Sequence, residues 1–331
     1  AEQGYYYTFG SLVALQIIFE LGFSFVILQM ASHERAHLEI ASDGSVTGNP
    51  VAHARLASVL QKAIRWYSSA AALLAIFLLF AGSHFFSGHQ QAGGNVPWHL
   101  PWVAAAIAAA ITFQVDPILS FMEGCGFVAN VARVRLCQAA TGSLLAWAVL
   151  ALHHGLFAPS LIIAGNAVVA LLWLSRHRHF LLALLRYRTH GHRIHWLREV
   201  WPFQWRISLS YLSGIFIVHF AVPSIYRICG AVEAGRFGLT SAAMRAVSSI
   251  ALANLSSKAQ LLGSRVASGD RRTLDQRFDA SCRRSLVMGF AGLLVVVLGV
   301  QIGGYLAPRL DGRALSLAPL VVLAAAMMLQ H

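Results

Sequence analysis

Arg245 lies about eight residues into an apolar run at 237–262, with Ser241, Ser248 and Ser249 at i−4, i+3 and i+4. Those offsets share one face of an α-helix. A charge inside a membrane run costs about 2.5–3.5 kcal/mol on insertion scales, so it is a functional candidate by default. A guanidinium stays ionised when partly desolvated and its paired donors match phosphate oxygens, so a cavity wall facing a diphosphate is one expectation. Snorkelling, or an ion pair inside a packed bundle, is the other. Arg206 and Lys258 stand nearer the ends of their runs, where snorkelling is easier. Glu20, with Gln16 at i−4 and Ser24 at i+4, makes a second narrow polar stripe, suited to a coupling cation or proton or to a structural ion pair. Asp116 precedes Pro117, whose missing N–H should kink or open its helix. That leaves a hinge or half-buried site against an acid at the end of a span. His219 reads as a hydrogen-bonded core residue.

The elements that must position these groups are membrane spans. Only 11% of the 331 residues are charged, 57% are hydrophobic and the mean hydropathy is +0.62, whereas soluble domains carry about 25% charged residues. That balance excludes both a soluble globule and a disordered chain. Apolar runs fall at about 8–32, 66–86, 101–122, 136–152, 159–175, 204–223, 237–262, 285–306 and 314–330, each near the roughly 20 residues needed to cross about 30 Å of hydrocarbon. Strands cannot serve, because open sheet edges leave backbone groups unpaired in lipid and these runs lack alternation at barrel spacing.

The charge pattern gives the runs a direction. Lys and Arg concentrate in alternate connections: four in 33–65, two in 123–135, six in 176–198 and six in 264–284, against two each in 224–236 and 307–313 and none in 1–7, 87–100 or 153–158. Basic loops stay in the cytoplasm, so residue 1 is expected outside it. The net charge of +12 is then a consequence of topology and needs no nucleic-acid partner. Ala1-Glu2-Gln3-Gly4 has no initiator Met and 327–331 follow an apolar run, so an internal fragment preceded by one more span is expected. A weak parallel repeat is visible: Glu2-Gln3-Gly4-Tyr5-Tyr6 matches Glu233-Ala234-Gly235-Arg236-Phe237, and Leu56–Arg65 matches Leu274–Arg283. The expectation is an N-terminal lobe at 1–175, a basic linker at 176–203 and a C-terminal lobe at 204–331.

Three motifs point elsewhere. His33-Glu34-Arg35-Ala36-His37 fits H-E-x-x-H, which on a helix places two imidazoles for zinc with the glutamate as base. With Asp311 as third ligand it resembles an intramembrane site-2 metalloprotease. Alternate-loop topology puts residues 33 and 311 on opposite faces of about 30 Å of hydrocarbon, whereas zinc ligands lie about 2.0–2.2 Å from one ion. Gly124-Cys125-Gly126-Phe127-Val128-Ala129 matches G-x-G-x-x-A but follows a span, not a strand. His177, His179, His190, His192 and His195 crowd the linker, where a solvated basic loop near anionic headgroups accounts for them better than a metal. Cys125, Cys137, Cys229 and Cys282 show neither metal-finger nor CxxC spacing and read as packing residues. The 33–65 connection reads as an interfacial amphipathic stretch.

Gly4-Tyr5-Tyr6-Tyr7-Thr8-Phe9, Leu15-Gln16, Phe19-Glu20-Leu21-Gly22 and Ser32-His33-Glu34 resemble the second span of Wzx-type polysaccharide flippases. These belong to the multidrug/oligosaccharidyl-lipid/polysaccharide exporter superfamily. Ala234-Gly235-Arg236-Phe237-Gly238-Leu239-Thr240 resembles that family's eighth span. The resemblance implies an all-α polytopic transmembrane bundle of two six-helix lobes, here nine spans of an expected twelve, in a bacterial inner membrane. It implies alternating-access translocation of a polyprenyl-diphosphate-linked oligosaccharide, with membrane lipids and other polysaccharide assembly proteins as partners. No enzyme activity, catalytic residue, cofactor or metal is expected. Substrate contacts fall to Arg245, Lys258, Arg206, Ser241, Ser248 and Ser249, and coupling or gating to Glu20, Gln16 and Asp116. A cation or drug antiporter of the same superfamily is the alternative within transport.

Overall fold

The computed structural model describes residues 2–41, 45–87, 96–187, 194, 199–202, 204–209, 220–256, 271–306 and 312–328, with the backbone alone at 253–256, 271–277 and 303–306. Long apolar helices dominate it. Among the described residues five are long and apolar enough to cross a membrane, or six if one bent pair counts as a single span. The protein is an all-α, multi-pass membrane protein. Of the nine expected runs, half of 204–223 (210–219) lies outside the described residues, as does His219. The contacts divide the chain into two compact units, Ala1–Ile228 and Cys229–His331.

The first unit opens with α1 (Glu2–Ala14), a single turn α2 (Ile17–Glu20) and α3 (Phe23–Arg35). Together they form the bent pair, turning 47°. The 33–65 connection is not one amphipathic stretch. It contains an antiparallel hairpin, β1 (Leu38–Ile40) with β2 (Val46–Gly48), in which Glu39 faces Thr47, and Asn49 Oδ1 then accepts from Val51 N at 2.9 Å as α4 begins. α4 (Pro50–Ser87) has 38 residues. At about 1.5 Å per residue it is roughly 57 Å long, nearly twice the hydrocarbon thickness of about 30 Å. Roughly 27 Å of its length therefore exceeds the apolar layer. α5 (His99–Gly124), α6 (Val128–Ala151) and α7 (Ala158–Arg176) follow, then the short α8 (Arg178–Arg186) and α9 (Ala221–Cys229). α5 sits at the centre, packed on α3, α4 and α7, and α6 packs on α7. α5 continues unbroken through Pro117, so the discontinuity expected there falls instead between α1 and α3.

Alternate connections gather at opposite ends of this unit, as their charge pattern requires. At the basic end Arg35 Nε donates to Cys125 O at 3.0 Å, and Gln61 Nε2 reaches the carbonyls of Leu184, Leu185 and Tyr187 at 3.2, 3.1 and 3.0 Å. The rings of Phe127 and His177 lie 5.4 Å apart there. The other end is aromatic. Tyr5 stacks on Phe86 at 5.5 Å and meets Tyr226 edge-on at 5.4 Å, while Trp98 lies 5.4 Å from Phe86. Such rings prefer stacked or edge-on contacts and anchor helices at membrane interfaces. Trp102 is fully buried, donates to Leu78 O at 3.1 Å and lies against Gly82, where a Cβ would come within 2.1 Å of the indole.

The second unit holds α10 (Ala231–Ser256), α11 (Arg271–Leu306) and α12 (Leu317–Met328). Met244, Leu293 and Leu320 form its buried core. Arg236 ties the start of α10 to the turn before α12, donating to Gly312 O at 2.6 Å and pairing with Glu233 at 2.6 Å. The two stretches of the sequence repeat, 56–65 and 274–283, fall in the first turns of α4 and α11, helices of 38 and 36 residues.

Candidate functional site

The bent pair is built around two left-handed residues. Leu21 has φ 47° and Gly22 φ 73°. Glycine adopts such a conformation freely, whereas for a side chain bearing a Cβ it costs about 1–2 kcal/mol. The turn interrupts the intrahelical ladder and leaves carbonyls to be satisfied, which at membrane depth needs partners from elsewhere in the protein. Gln204 Nε2 donates to Leu21 O at 2.8 Å; Ser208 Oγ lies 3.2 Å from the same carbonyl and shares its one hydrogen with the nearer Gln204 O at 2.7 Å. Gln16, Glu20 and Ser24 consequently do not form the continuous stripe expected of a straight helix. Gln16 is the N-cap of α2, with helical backbone dihedrals, its Oε1 buried without a hydrogen-bond partner among the described residues. Ser24 lies beyond the break, with Oγ 3.2 Å from the Tyr67 hydroxyl.

Glu20 borders a cavity of about 990 Å³ beside the break, at the upper end of the range for small-molecule sites. Three elements wall it. The break supplies Phe19, Glu20, Leu21 and Phe23, α4 supplies Lys62, Arg65, Trp66 and Ser69, and the 200–209 segment supplies Val200, Trp201, Gln204, Trp205, Ser208 and Leu209. Positions 62, 65, 66 and 69 repeat the i, i+3, i+4, i+7 spacing of one helix face, as do 201, 204, 205 and 208. Two cations and one carboxylate thus line a half-open pocket whose walls are otherwise mainly indole, phenyl and aliphatic groups, with Arg65, Trp66, Trp201 and Trp205 exposed. Lys62 Nζ also donates to Ile194 O.

Other candidates stand apart from this cavity. Arg206 is exposed, its guanidinium 5.6 Å from the Trp205 ring centre, within cation–π range. Asp116 is exposed on α5. In the second unit Arg245 is exposed on α10. Ser241 is buried and donates to Gly238 O at 3.1 Å, and Ser249 donates to Ala246 O at 2.7 Å, so both hydroxyls are engaged by their own helix. Ser248 Oγ is buried without a hydrogen-bond partner among the described residues. Lys258 lies outside the described residues, as do His190, His192, His195 and Asp311.

The motifs are absorbed by packing. Glu34 of H-E-x-x-H is buried, its side chain 5% exposed, and accepts from Arg55 Nε at 2.7 Å. Arg55 NH2 in turn reaches Glu199 Oε2 at 2.6 Å. His33 and His37 are exposed, their ring centres 6.1 Å apart. Among the described residues no group of three or more His, Cys, Asp or Glu side chains could hold a metal. In the glycine-rich match, Gly124 lets α5 approach α3, since a Cβ there would lie 2.4 Å from Leu28 O, and Gly126 turns the chain at φ 101°. Burial pushes the Cys125 thiol well above its ordinary value, with Arg35 opposing in part, which keeps it an unreactive packing group.

Sequence reasoning missed Lys62, Arg65 and the tryptophans. It counted Lys62 and Arg65 as loop charges because hydropathy registers only the apolar half of α4. The repeated helical spacing of aromatic and polar positions was the available signal. No protein-family model, curated protein or solved structure matches this chain.

Proposed function

We propose that this protein is a membrane transporter that moves a polyprenyl-diphosphate-linked oligosaccharide across the bilayer by alternating access. The observation that supports the reading is the cavity at the helix break, where Lys62 and Arg65 stand among Trp66, Trp201 and Trp205. Carrying a diphosphate through hydrocarbon is opposed by its desolvation, and fixed cations beside an apolar wall offset part of that cost. Indole faces suit the apolar faces of sugar rings. A helix interrupted at membrane depth is the backbone device by which transporters form a site and let its walls rock. In this proposal Lys62 and Arg65 hold the phosphates, the tryptophans hold the sugars and the polyprenyl chain stays in lipid. Glu20 and Asp116 serve coupling or gating, and the exposed Arg245 gives the second unit a phosphate-binding cation. Two six-helix lobes and a bacterial inner-membrane setting belong to the same proposal.

The test is a proteoliposome assay with a fluorescent polyprenyl-diphosphate oligosaccharide whose outer-leaflet fraction is quenched from the bulk. The wild-type protein should move it, and K62A/R65A should slow movement at least about tenfold at equal, monodisperse reconstitution. An unchanged rate would remove the cavity from the mechanism. Antiport of an organic cation is the second reading, favoured by the carboxylate of Glu20 among aromatic rings. Movement of an organic cation in the same vesicles, abolished by E20Q and untouched by K62A/R65A, would establish it instead.

A further inference from the structure

α8 is held at the edge of the apolar layer by three supports. It follows α7 after the single residue His177, and Leu171 and Leu172, about one and a half turns earlier, are exposed leucines of a candidate span. Its first turn packs on the connection between α5 and α6, where the rings of Phe127 and Phe180 lie 6.0 Å apart. Its last carbonyls accept from Gln61, which stands only about 7.5 Å along α4 from the apolar run that opens at 66.

Phe180 and Leu184 are buried and give one face of α8 to the protein. The other face carries Arg178, His179, Leu182, Ala183 and Arg186, all exposed, and Arg176 at the end of α7 is exposed just before it. Arg178, Leu182 and Arg186 follow at i, i+4 and i+8, which sets the two arginines about 12 Å apart along the axis. Elsewhere at this end the acids are taken, Glu34 and Glu199 by Arg55 and Glu123 by Arg135, while Glu39 is exposed on the hairpin. Among the described residues Arg176, Arg178 and Arg186 form no ion pair. A fixed cationic face thus lies at the depth of lipid headgroups, with Leu182, 43% exposed, in its middle.

We infer that the outward face of α8, with Arg176, is a binding surface for the phosphates of anionic phospholipids. Guanidinium donors match phosphate oxygens in pairs, and basic faces beside membrane spans bind anionic headgroups. Leu182 suits the apolar boundary just beneath those headgroups. A soluble acidic protein has the right charge, but the supports of α8 place its arginines in the headgroup layer, which lipid occupies first. The surface acts whatever cargo the pocket at the helix break carries.

The experiment measures energy transfer in nanodiscs holding the full chain. In a background with the four native cysteines replaced, A183C carries a donor fluorophore. The bilayer is phosphatidylcholine with an equal small fraction of phosphatidylglycerol or phosphatidylcholine bearing an acceptor on its acyl chain. Each arginine near an anionic surface favours binding about fivefold, so transfer to phosphatidylglycerol should exceed transfer to phosphatidylcholine at least about threefold. R176Q/R178Q/R186Q should bring the two within about 1.5-fold, and so should salt at about 1 M, where the screening length is about 3 Å. R176K/R178K/R186K should keep most of the preference. Equal transfer to the two lipids with the native arginines overturns the inference, as does a preference that survives the glutamine variant. A lysine variant no better than the glutamine variant would mean that the arginines act by packing, and overturns it too. Transfer to acceptor-labelled polyglutamate without any lipid preference would assign the face to an acidic protein instead.

Discussion

Arg55 and Glu34 form a buried ion pair, Nε to Oε1 at 2.7 Å, in which the carboxylate side chain is 5% exposed. The pair joins the end of α3 to the first turns of α4, and through Glu199 at 2.6 Å it reaches the segment that forms one cavity wall. Removing one partner of a buried pair leaves an uncompensated charge and costs about 3–5 kcal/mol.

R55L should therefore lower the unfolding midpoint in mild detergent sharply. E199Q should do far less, because a partly exposed partner contributes about 0.2–1 kcal/mol and Arg55 still neutralises Glu34. The double variant E34Q/R55L should recover part of the loss of R55L, since it no longer buries a lone charge. Equal midpoints for R55L and the wild-type protein would show that Glu34 is solvated or paired elsewhere.

The left-handed turn at Leu21 and Gly22 depends on two side chains distant in sequence. Gln204 satisfies Leu21 O, with Ser208 a secondary donor that also bonds Gln204 O, and a buried acceptor left without a donor costs about 1–3 kcal/mol. Either single change leaves one donor in place. Q204L/S208A removes both, so amide exchange at 21–25 should accelerate by roughly one to two orders of magnitude while exchange in α6 stays constant. Uniform exchange in the double variant would mean that the break holds itself.

The apolar spans of the first unit that the structure describes were legible because hydropathy is a local property of each run. The hinge was not. Pro117 carries the stronger breaking signal, yet α5 passes through it, whereas Gly22 in Phe19-Glu20-Leu21-Gly22-Phe23 turns the chain because Gln204 and Ser208 hold the freed carbonyl from some 180 residues away. No window on the sequence contains that support. Glu20 was legible as a charge in an apolar run, but the pocket it lines together with Lys62, Arg65 and Gln204 is not reached by the helical offsets from Glu20. The ion pair that absorbs Glu34 was hidden for the same reason.

Two glycines on apolar helices should respond oppositely to alanine. A Cβ at Gly124 would lie 2.4 Å from Leu28 O and 2.8 Å from the Ala31 Cβ, so α3 and α5 must separate, an overpacking cost of about 1–3 kcal/mol. At Gly10 nothing lies within 4 Å, and alanine in a helix interior is favoured over glycine by about 0.5–1 kcal/mol. G124A should thus lower the unfolding midpoint and G10A hold or raise it. A neutral G124A would mean that the two helices do not touch at Leu28.

The opposed basic and aromatic ends of the first unit make a prediction about the bilayer. Ser45, in the hairpin, and His154, between α6 and α7, are both exposed, and they belong to connections at opposite ends. α5 and α6 have 26 and 24 residues, which at about 1.5 Å per residue is roughly 36–39 Å, more than the hydrocarbon thickness of about 30 Å. In a background with the four native cysteines replaced, an impermeant maleimide added to sealed vesicles of one orientation should label S45C or H154C but not both. Inverting the vesicles should exchange the two results. Labelling of both cysteines from a single side would place both ends in one aqueous compartment and contradict the spanning arrangement of α5 and α6.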